Sequence, residues 1–367
     1  ALAYALYGDR LFSEYEQRFL KRDVQGALVS RALTPTYWPD YIGGSAGRSE
    51  LAADYYDEIL FEGATFGDLL NKHDVPLAIA TSTDFTSGSR LAFFQQDFDL
   101  LCTNLNGFKL SRAAAASSAV PVVLSPVTLN NYGGKCNYQY QGWVKAVNDP
   151  KNPVRPSGRA LQRYKEMVLF QDSTNRPYIH LVDGGVSDNI GVRGVMEALE
   201  ELNASAEFQG QVGFGVVKNI VLMVVNSRSS PHADWDLEET PPGFVVQLLQ
   251  SASVPIDRYS FETIETMKDR AEIMKWRRDL LLAEAQLAGQ SKAQAEASIP
   301  KITMTVVDVS FDAIKDPKQK EYFMDLPTSF VLPAEDVDRL RDTAGQLMRL
   351  SPDYAEAVRI ISNPPAK

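Results

Sequence analysis

Apolar residues follow two rhythms along this chain, helical stripes and short continuous runs. The first stripe is Leu11, Phe12, Tyr15 and Phe19, within a stretch that opens with good helix formers and has no capping residue before it. Residues 34–47, with proline, glycine and tryptophan, read as loop. Residues 49–60 and 65–73 read as helices. The run 76–84 (PLAIATSTD) reads as a buried strand, and a Thr-Ser-Gly-Ser turn at 86–89 returns the chain into a second hairpin strand at 90–95. Residues 110–118 predict a small-residue helix stopped by Pro121. The proline-bearing stretch 141–157 predicts an exposed excursion.

A second strong strand is expected at 177–182, followed by a glycine turn and a helix over 192–202. The run 219–226 (NIVLMVVN) is continuously apolar, as in a strand buried on both faces of a parallel sheet. Residues 243–297 read as long, helical and increasingly charged, and 302–309 as another strand. Val337, Leu340, Ala344 and Leu347 form a helical stripe, and Ser351-Pro352 supplies a cap and a first-turn proline for the last helix. Without an internal repeat or a flexible linker, alternating strands and helices predict one α/β domain over 1–367. Its expected form is a three-layer α/β/α sandwich with a mainly parallel sheet and a helical elaboration from residue 243.

Composition narrows the function classes. In 367 residues, 44% hydrophobic and 23% charged content excludes intrinsic disorder. Acidic residues outnumber basic ones 47 to 37, so the chain has no general electrostatic affinity for nucleic acid. No apolar run is long enough to span a bilayer. Cys102 and Cys136 exclude a disulfide-dense scaffold and leave one bridge open, while His73, His180 and His232 are scattered without metal-ligand spacing.

The candidate chemistry centres on YIHLVDGGVSDNIGVRG (178–194). An apolar strand ends at Asp183, two glycines turn the chain, and a helix follows. Strand carboxyl ends are where α/β sites form, and a carboxylate held there can act as a general base or simply close a turn. His180 precedes Asp183 by an odd number of residues, which puts the two side chains on opposite faces and excludes a His–Asp couple. Gly43-Gly44-Ser45-Ala46-Gly47 matches a Gly-x-Ser-x-Gly elbow, but TPTYWPDYI before it carries two prolines and makes a poor strand. Ser45 is therefore a weak nucleophile candidate, and a Gly/Ser loop is the simpler reading. Gly213-Phe214-Gly215 lacks the third glycine of a dinucleotide fingerprint.

Several segments together carry a family resemblance: TSTDFTSGSRLAFFQQDFD (81–99), LSRAAAASSAVPVVLSPVTL (110–129), HLVDGGVSDNIGVRG (180–194), VPIDRYSFET (254–263) and DLPTSFVL (325–332). The chain resembles the bacterial patatin-like phospholipases, serine acyl hydrolases that use a Ser–Asp dyad. The resemblance implies that Asp183 is the catalytic base and that Gly184 and Gly185 complete its motif. It implies a lipid ester substrate, met at a membrane or micelle surface, with no metal and no cofactor. It also implies that the nucleophile lies just before Ala1, leading into 1–20, with a glycine-rich oxyanion loop further upstream. Ser45 then falls in a variable loop, and this chain alone is expected to be inactive. The family often acts outside the cytoplasm or at a membrane, a setting that a Cys102–Cys136 pair permits but does not demand.

Three further features have two readings each. Arg112 reads as an ion-pair partner or as a residue shaping the site. Phe244, Val245, Val246, Leu248 and Leu249 form an apolar cluster that suits either core or a lipid-facing lid. Residues 267–284 read as a solvated helix face. Two function classes stand against each other: a lipid acyl hydrolase, and a non-catalytic patatin-like protein that binds lipid or a protein partner. An intact Asp-Gly-Gly favours the first, since a binding protein needs no base at that turn.

Overall fold

The computed structural model describes residues 1–34, 47–72, 75–121, 123–152, 155–213, 216–230, 234–299 and 301–362, with backbone only at Ala206, Asp234 and Val245. The fold is mixed α/β. It forms two compact units: residues 1–204, 240–256 and 328–337 make the first, and 205–239, 257–327 and 338–367 the second.

In the first unit, the helical start is broken at Gly8, whose φ of 60° ends the helix Leu2–Tyr7 before a second begins at Arg10–Tyr15. Helix α1 (Arg48–Tyr56) buries Leu51, Ala52, Ala53, Tyr55 and Tyr56. The sheet comprises β1 (Thr81–Asp84), β2 (Arg90–Ala92), β3 (Val127–Asn130) and β4 (Tyr178–Asp183), in the order β2-β1-β4-β3. Every pairing in it is antiparallel, which corrects the expectation of a mainly parallel sheet. The reason lies in the connections. A tight turn joins β1 to β2. Two helices, Gln95–Leu100 and α2 (Leu110–Ser117), separate β2 from β3, and two more, Gly142–Asn148 and α3 (Gly158–Phe170), separate β3 from β4. An even number of helical passes returns the chain in the opposite direction, whereas a parallel crossover uses one.

Two local expectations also change. Only the last four residues of 76–84 form a strand; Leu77 and Ile79 are exposed, because the apolar half of the run gains no ladder partner among the described residues. The stretch 141–157 is not wholly an excursion, since Gly142–Asn148 is a helix that buries Trp143, Val144 and Val147. Phe66, Phe93, Phe98 and Phe108 pack as an aromatic cluster with centroid separations of 5.6–6.3 Å. Helix α4 (Val192–Ala204) follows β4.

In the second unit, β5 (Asn219–Asn226) pairs in parallel with β6 (Thr303–Ser310), setting Val224 beside Asp308 and Asn226 beside Ser310. Between them runs α5 (Phe244–Leu287), which begins in the first unit. The expectation that 219–226 is buried on both faces does not hold: Val224 is its one buried residue, and Val225 is 65% exposed. The strand has a neighbour on only one edge among the described residues. Val307 and Val309 pack with Leu347 and Met348 of α6 (Ala334–Leu350) and with Tyr354 and Ala357 of α7 (Pro352–Ser362). Ser351 caps α7 by accepting the Tyr354 N–H at 3.2 Å.

Cys102 and Cys136 form a disulfide across a separation of 34 residues, with Cα atoms 5.6 Å apart. Cross-linking a loop of that length restricts the unfolded chain by about 3–4 kcal/mol on a chain-entropy estimate. The Cys102→Ser/Cys136→Ser double variant is therefore expected to lose roughly that much unfolding free energy in urea titration. An unchanged midpoint would count against the bridge.

Candidate active site

Asp183 ends β4, an interior strand of the four-stranded sheet. Its position depends on α2. Ala113, Ala115 and Ala116 are fully buried, and their small side chains let the helix approach the strand backbone closely. Just beyond that helix, the Ala119 carbonyl accepts the Asp183 N–H at 2.9 Å, and the Ser117 carbonyl accepts the Gly184 N–H at 3.2 Å. On the neighbouring strand, the Thr83 hydroxyl donates to the Asp183 carbonyl at 2.9 Å and lies 2.8 Å from the Ser187 hydroxyl.

Both motif glycines are required by contact. A Cβ on Gly184 would collide with the Thr81 carbonyl oxygen, and one on Gly185 would sit 2.9 Å from Asp183 Oδ1 and 2.8 Å from Asn189 Oδ1. The Gly185 N–H donates to Asp183 Oδ1 at 2.7 Å.

The Asp183 carboxylate makes no ion pair among the described residues. Burial raises its pKa above the usual aspartate value, and the Gly185 N–H opposes the rise. Its charge reaches Tyr56, whose own pKa is raised mainly by burial and whose hydroxyl lies 3.4 Å from Ser118 Oγ. Ser82 stands directly opposite Asp183 in the ladder and so shares its face of the sheet; its hydroxyl is buried with no hydrogen-bond partner. Other acids nearby are neutralised or saturated. Asp84 is fully buried against Arg176 at 2.5 Å, Asp97 is paired with Arg163, and Asp188, also raised in pKa by burial, accepts the Arg193 and Gly194 N–H groups at 3.0 and 2.9 Å. Asp183 thus combines half-burial, a raised pKa and the absence of a cation.

His180 lies on the exposed side of β4, with Nδ1 3.0 Å from the hydroxyl of Thr128. It stands apart from Asp183, as strand alternation requires. Arg112 is a structural ion-pair partner: it contacts both carboxylate oxygens of Glu50 at 2.8–3.1 Å and donates to the Thr128 carbonyl at 2.9 Å. Ser45, His73, His232 and the Phe214-Gly215 pair lie outside the described residues. Sequence reasoning missed Tyr56, Ser82 and Ser118. Ser118 sits in the quoted Ser-Ser-Ala-Val-Pro run, and Ser82 in the strand that faces β4, but neither carries a spacing signal of its own.

No family model matches the chain, and neither a curated protein nor a solved structure matches it.

The raised pKa of Asp183 has a consequence for stability. A carboxyl that titrates higher in the folded than in the unfolded state stabilises the fold below the unfolded pKa, and this contribution is lost as pH rises through the folded pKa. Asp183→Asn, whose side-chain oxygen can still accept the Gly185 N–H, removes that loss. Its melting temperature is expected to exceed that of the parent at pH 7 and to converge with it below pH ~4, the unfolded aspartate value. A variant less stable at pH 7 than at pH 4, relative to the parent, would contradict the assignment.

Proposed function

We propose that this chain is the base-bearing part of a patatin-like lipid acyl hydrolase, with Asp183 as the general base of a Ser–Asp dyad. The observation that carries the reading is the state of that carboxylate: half-buried, without a cation among the described residues, raised in pKa, and held at the end of an interior strand where Gly184 leads into a short helix that opens at Gly185. A base works best when its pKa approaches the working pH, and an ion-paired aspartate would be too weakly basic. In the proposed reaction a serine hydroxyl attacks the ester carbonyl and Asp183 takes its proton. Backbone N–H groups stabilise the oxyanion, the alcohol leaves, and water hydrolyses the acyl-enzyme. The resemblance puts that serine upstream of Ala1. The same reading takes the fold as a three-layer α/β/α sandwich. It is supported in the second unit, where α6 and α7 cover Val307 and Val309 on one face of the parallel pair and α5 approaches Asp308 on the other.

A lipid substrate is supported by the start of α5. Phe244 is 78% exposed, and Val246, Leu248 and Leu249 are also exposed, so this apolar cluster is surface rather than core. Grouped apolar side chains of this kind suit an interface with lipid.

The test uses the full encoded polypeptide, including whatever precedes Ala1. Release of p-nitrophenol from acyl esters and of fatty acid from lysophosphatidylcholine is expected. Asp183→Asn should lower kcat by about 10²–10⁴, the usual worth of a positioned base. A fluorophosphonate should label a serine upstream of Ala1 and leave Ser45 unmodified. Full activity in Asp183→Asn would remove the dyad. Silence on every ester would favour the non-catalytic binding protein.

A second expectation separates the lipid surface from the chemistry. Phe244→Asp with Leu248→Asp should cut hydrolysis of micellar or vesicle substrate about tenfold or more, given the apolar area withdrawn from lipid, and leave turnover of a soluble short-chain ester unchanged. Equal loss on both substrates would mean that the cluster supports the fold instead.

A further inference from the structure

In the second unit, the cavity of about 440 Å³ where the parallel strands end is lined by charged groups that already hold one another, Lys268 with Glu265 and Asp308, and Arg228 with Asp312. The first unit carries a feature of another kind, a loop fastened by the disulfide. Cys102 lies just past the helix Gln95–Leu100, in a closing turn where its N–H donates to the Asp99 carbonyl at 3.1 Å and the Thr103 N–H donates to the Phe98 carbonyl at 3.0 Å. That pattern sets its first residue in the left-handed region, a place glycine usually fills. Cys102 has a φ of 50° and is one of two non-glycine residues with positive φ among the described residues. A side chain is sterically disfavoured there.

At the other end of the bridge, Cys136 is exposed, and its N–H donates to Cys102 Sγ at 3.1 Å. Beyond it, residues 137–140 make no backbone–backbone hydrogen bond among the described residues. Ring packing holds them instead: Tyr138 lies edge-on to Tyr140 at 5.3 Å, and Tyr140 edge-on to Tyr164 of α3 at 5.9 Å. Tyr138 also opposes this closure, because its hydroxyl is buried and has no hydrogen-bond partner. Burial raises its pKa to about 12; the charges of Asp97 and Asp99 add to the rise and Arg163 counters it. Tyr138 is thus a neighbour of the buried Asp97–Arg163 ion pair. That pair braces β2, since Asp97 accepts the Ala92 N–H at 2.8 Å and Arg163 donates to the Arg90 carbonyl at 3.4 Å. A buried hydroxyl without a partner is uncommon, and water would satisfy it if the loop lifted.

We propose that the Cys102–Cys136 bridge is a redox-operated clasp: oxidised, it holds residues 136–141 with Tyr138 beside the Asp97–Arg163 pair, and reduced, it lets this loop lift and water reach the pair. The reductant is a dithiol. One of its thiolates attacks Cys136 Sγ, at the exposed end; the S–S bond breaks, and Cys102 leaves as a thiolate that takes a proton. The second thiol attacks the mixed disulfide and releases the Cys136 thiol. Two electrons and two protons pass to the protein, and the dithiol ends as a disulfide. Without the bond, ring packing alone opposes hydration of the Tyr138 hydroxyl, and the Cys102 backbone is free to leave its left-handed conformation. The effect falls on β2, the edge strand beside β1. The clasp lies within the first unit and does not depend on the Ser–Asp reading.

The test is hydrogen–deuterium exchange, read by mass spectrometry on the intact chain with and without dithiothreitol. N-ethylmaleimide counts the thiols formed in a parallel sample. Both cysteines should become alkylated under native conditions. Exchange in peptides covering 136–141 and 90–97 should rise about tenfold or more on reduction, while β4 keeps its rate, since exchange reports local opening. Tyr138→Phe removes the unpartnered hydroxyl and should keep the reduced loop closed, cutting that rise at least about fivefold. A bridge that resists dithiothreitol until the chain is denatured, or a loop whose exchange ignores reduction, overturns the proposal. An equal rise in β4 also overturns it, because the bridge would then only stabilise the fold as a whole. So does a Tyr138→Phe protein that responds to reduction as the parent does.

Discussion

The geometry around Asp183 depends on two backbone hydrogen bonds, from the Asp183 and Gly184 N–H groups to the carbonyls of Ala119 and Ser117. They join the chain after α2 to the end of β4, beside a helix whose Ala113, Ala115 and Ala116 are fully buried. Each element then positions a different part of the site. The strand ladder orients Asp183 toward the face it shares with Ser82. Burial desolvates the carboxylate, and Gly185 supplies an N–H to hold it. A bulkier side chain at Ala115 or Ala116 would push the helix away, exposing the carboxylate and lowering its pKa toward the ordinary value. Packing and acid–base character are therefore one property here.

The buried acids of the first unit show how partners decide role. Asp84 and Asp183 terminate adjacent strands, one fully buried and the other half-buried. Asp84 meets Arg176 and Ser87, contacts that brace the hairpin. Asp97 meets Arg163 and also accepts the Ala92 N–H, tying the helix after β2 back to the strand itself. Asp183 has only an N–H, so its proton affinity remains high. The difference lies in which side chains the fold delivers, not in the strand-end position that Asp84 and Asp183 share.

Much of this arrangement was readable in the sequence. The apolar run ending at Asp183 and the helix Val192–Ala204 occur where periodicity sets them, because each is decided by local sterics, while the expected two-glycine turn is a single turn residue, Gly184, before a short helix Gly185–Asp188. The small-residue helix at 110–118 was equally legible. Strand direction was not. It depends on how many helical passes intervene, and the helix at Gly142–Asn148 was hidden within a proline-bearing stretch whose helix-forming core is only seven residues long. The burial of 219–226 was misjudged for a related reason: an apolar run reports what a strand can bury, while the number of neighbouring strands decides what it does bury. Tyr56, Ser82 and Ser118 were invisible as a group, since they come from three segments that only the tertiary fold brings toward one carboxylate.

Asp183 and Asp308 both occupy the carboxyl end of a strand, yet the two sheets make different use of it. In the antiparallel sheet, β1 runs back alongside β4, so Thr83 and the chain after α2 cover the backbone around Asp183 and leave its side chain as the remaining reactive group. In the parallel pair, β5 and β6 end together, and both chains turn away at the same level. That leaves a hollow between the strand ends and the face of α5, lined by whichever residues stand last on each strand. Antiparallel pairing fills the strand end with its neighbour, whereas parallel pairing leaves it open. A single poised carboxylate is the natural product of the first geometry, and a cavity lined by several side chains is that of the second.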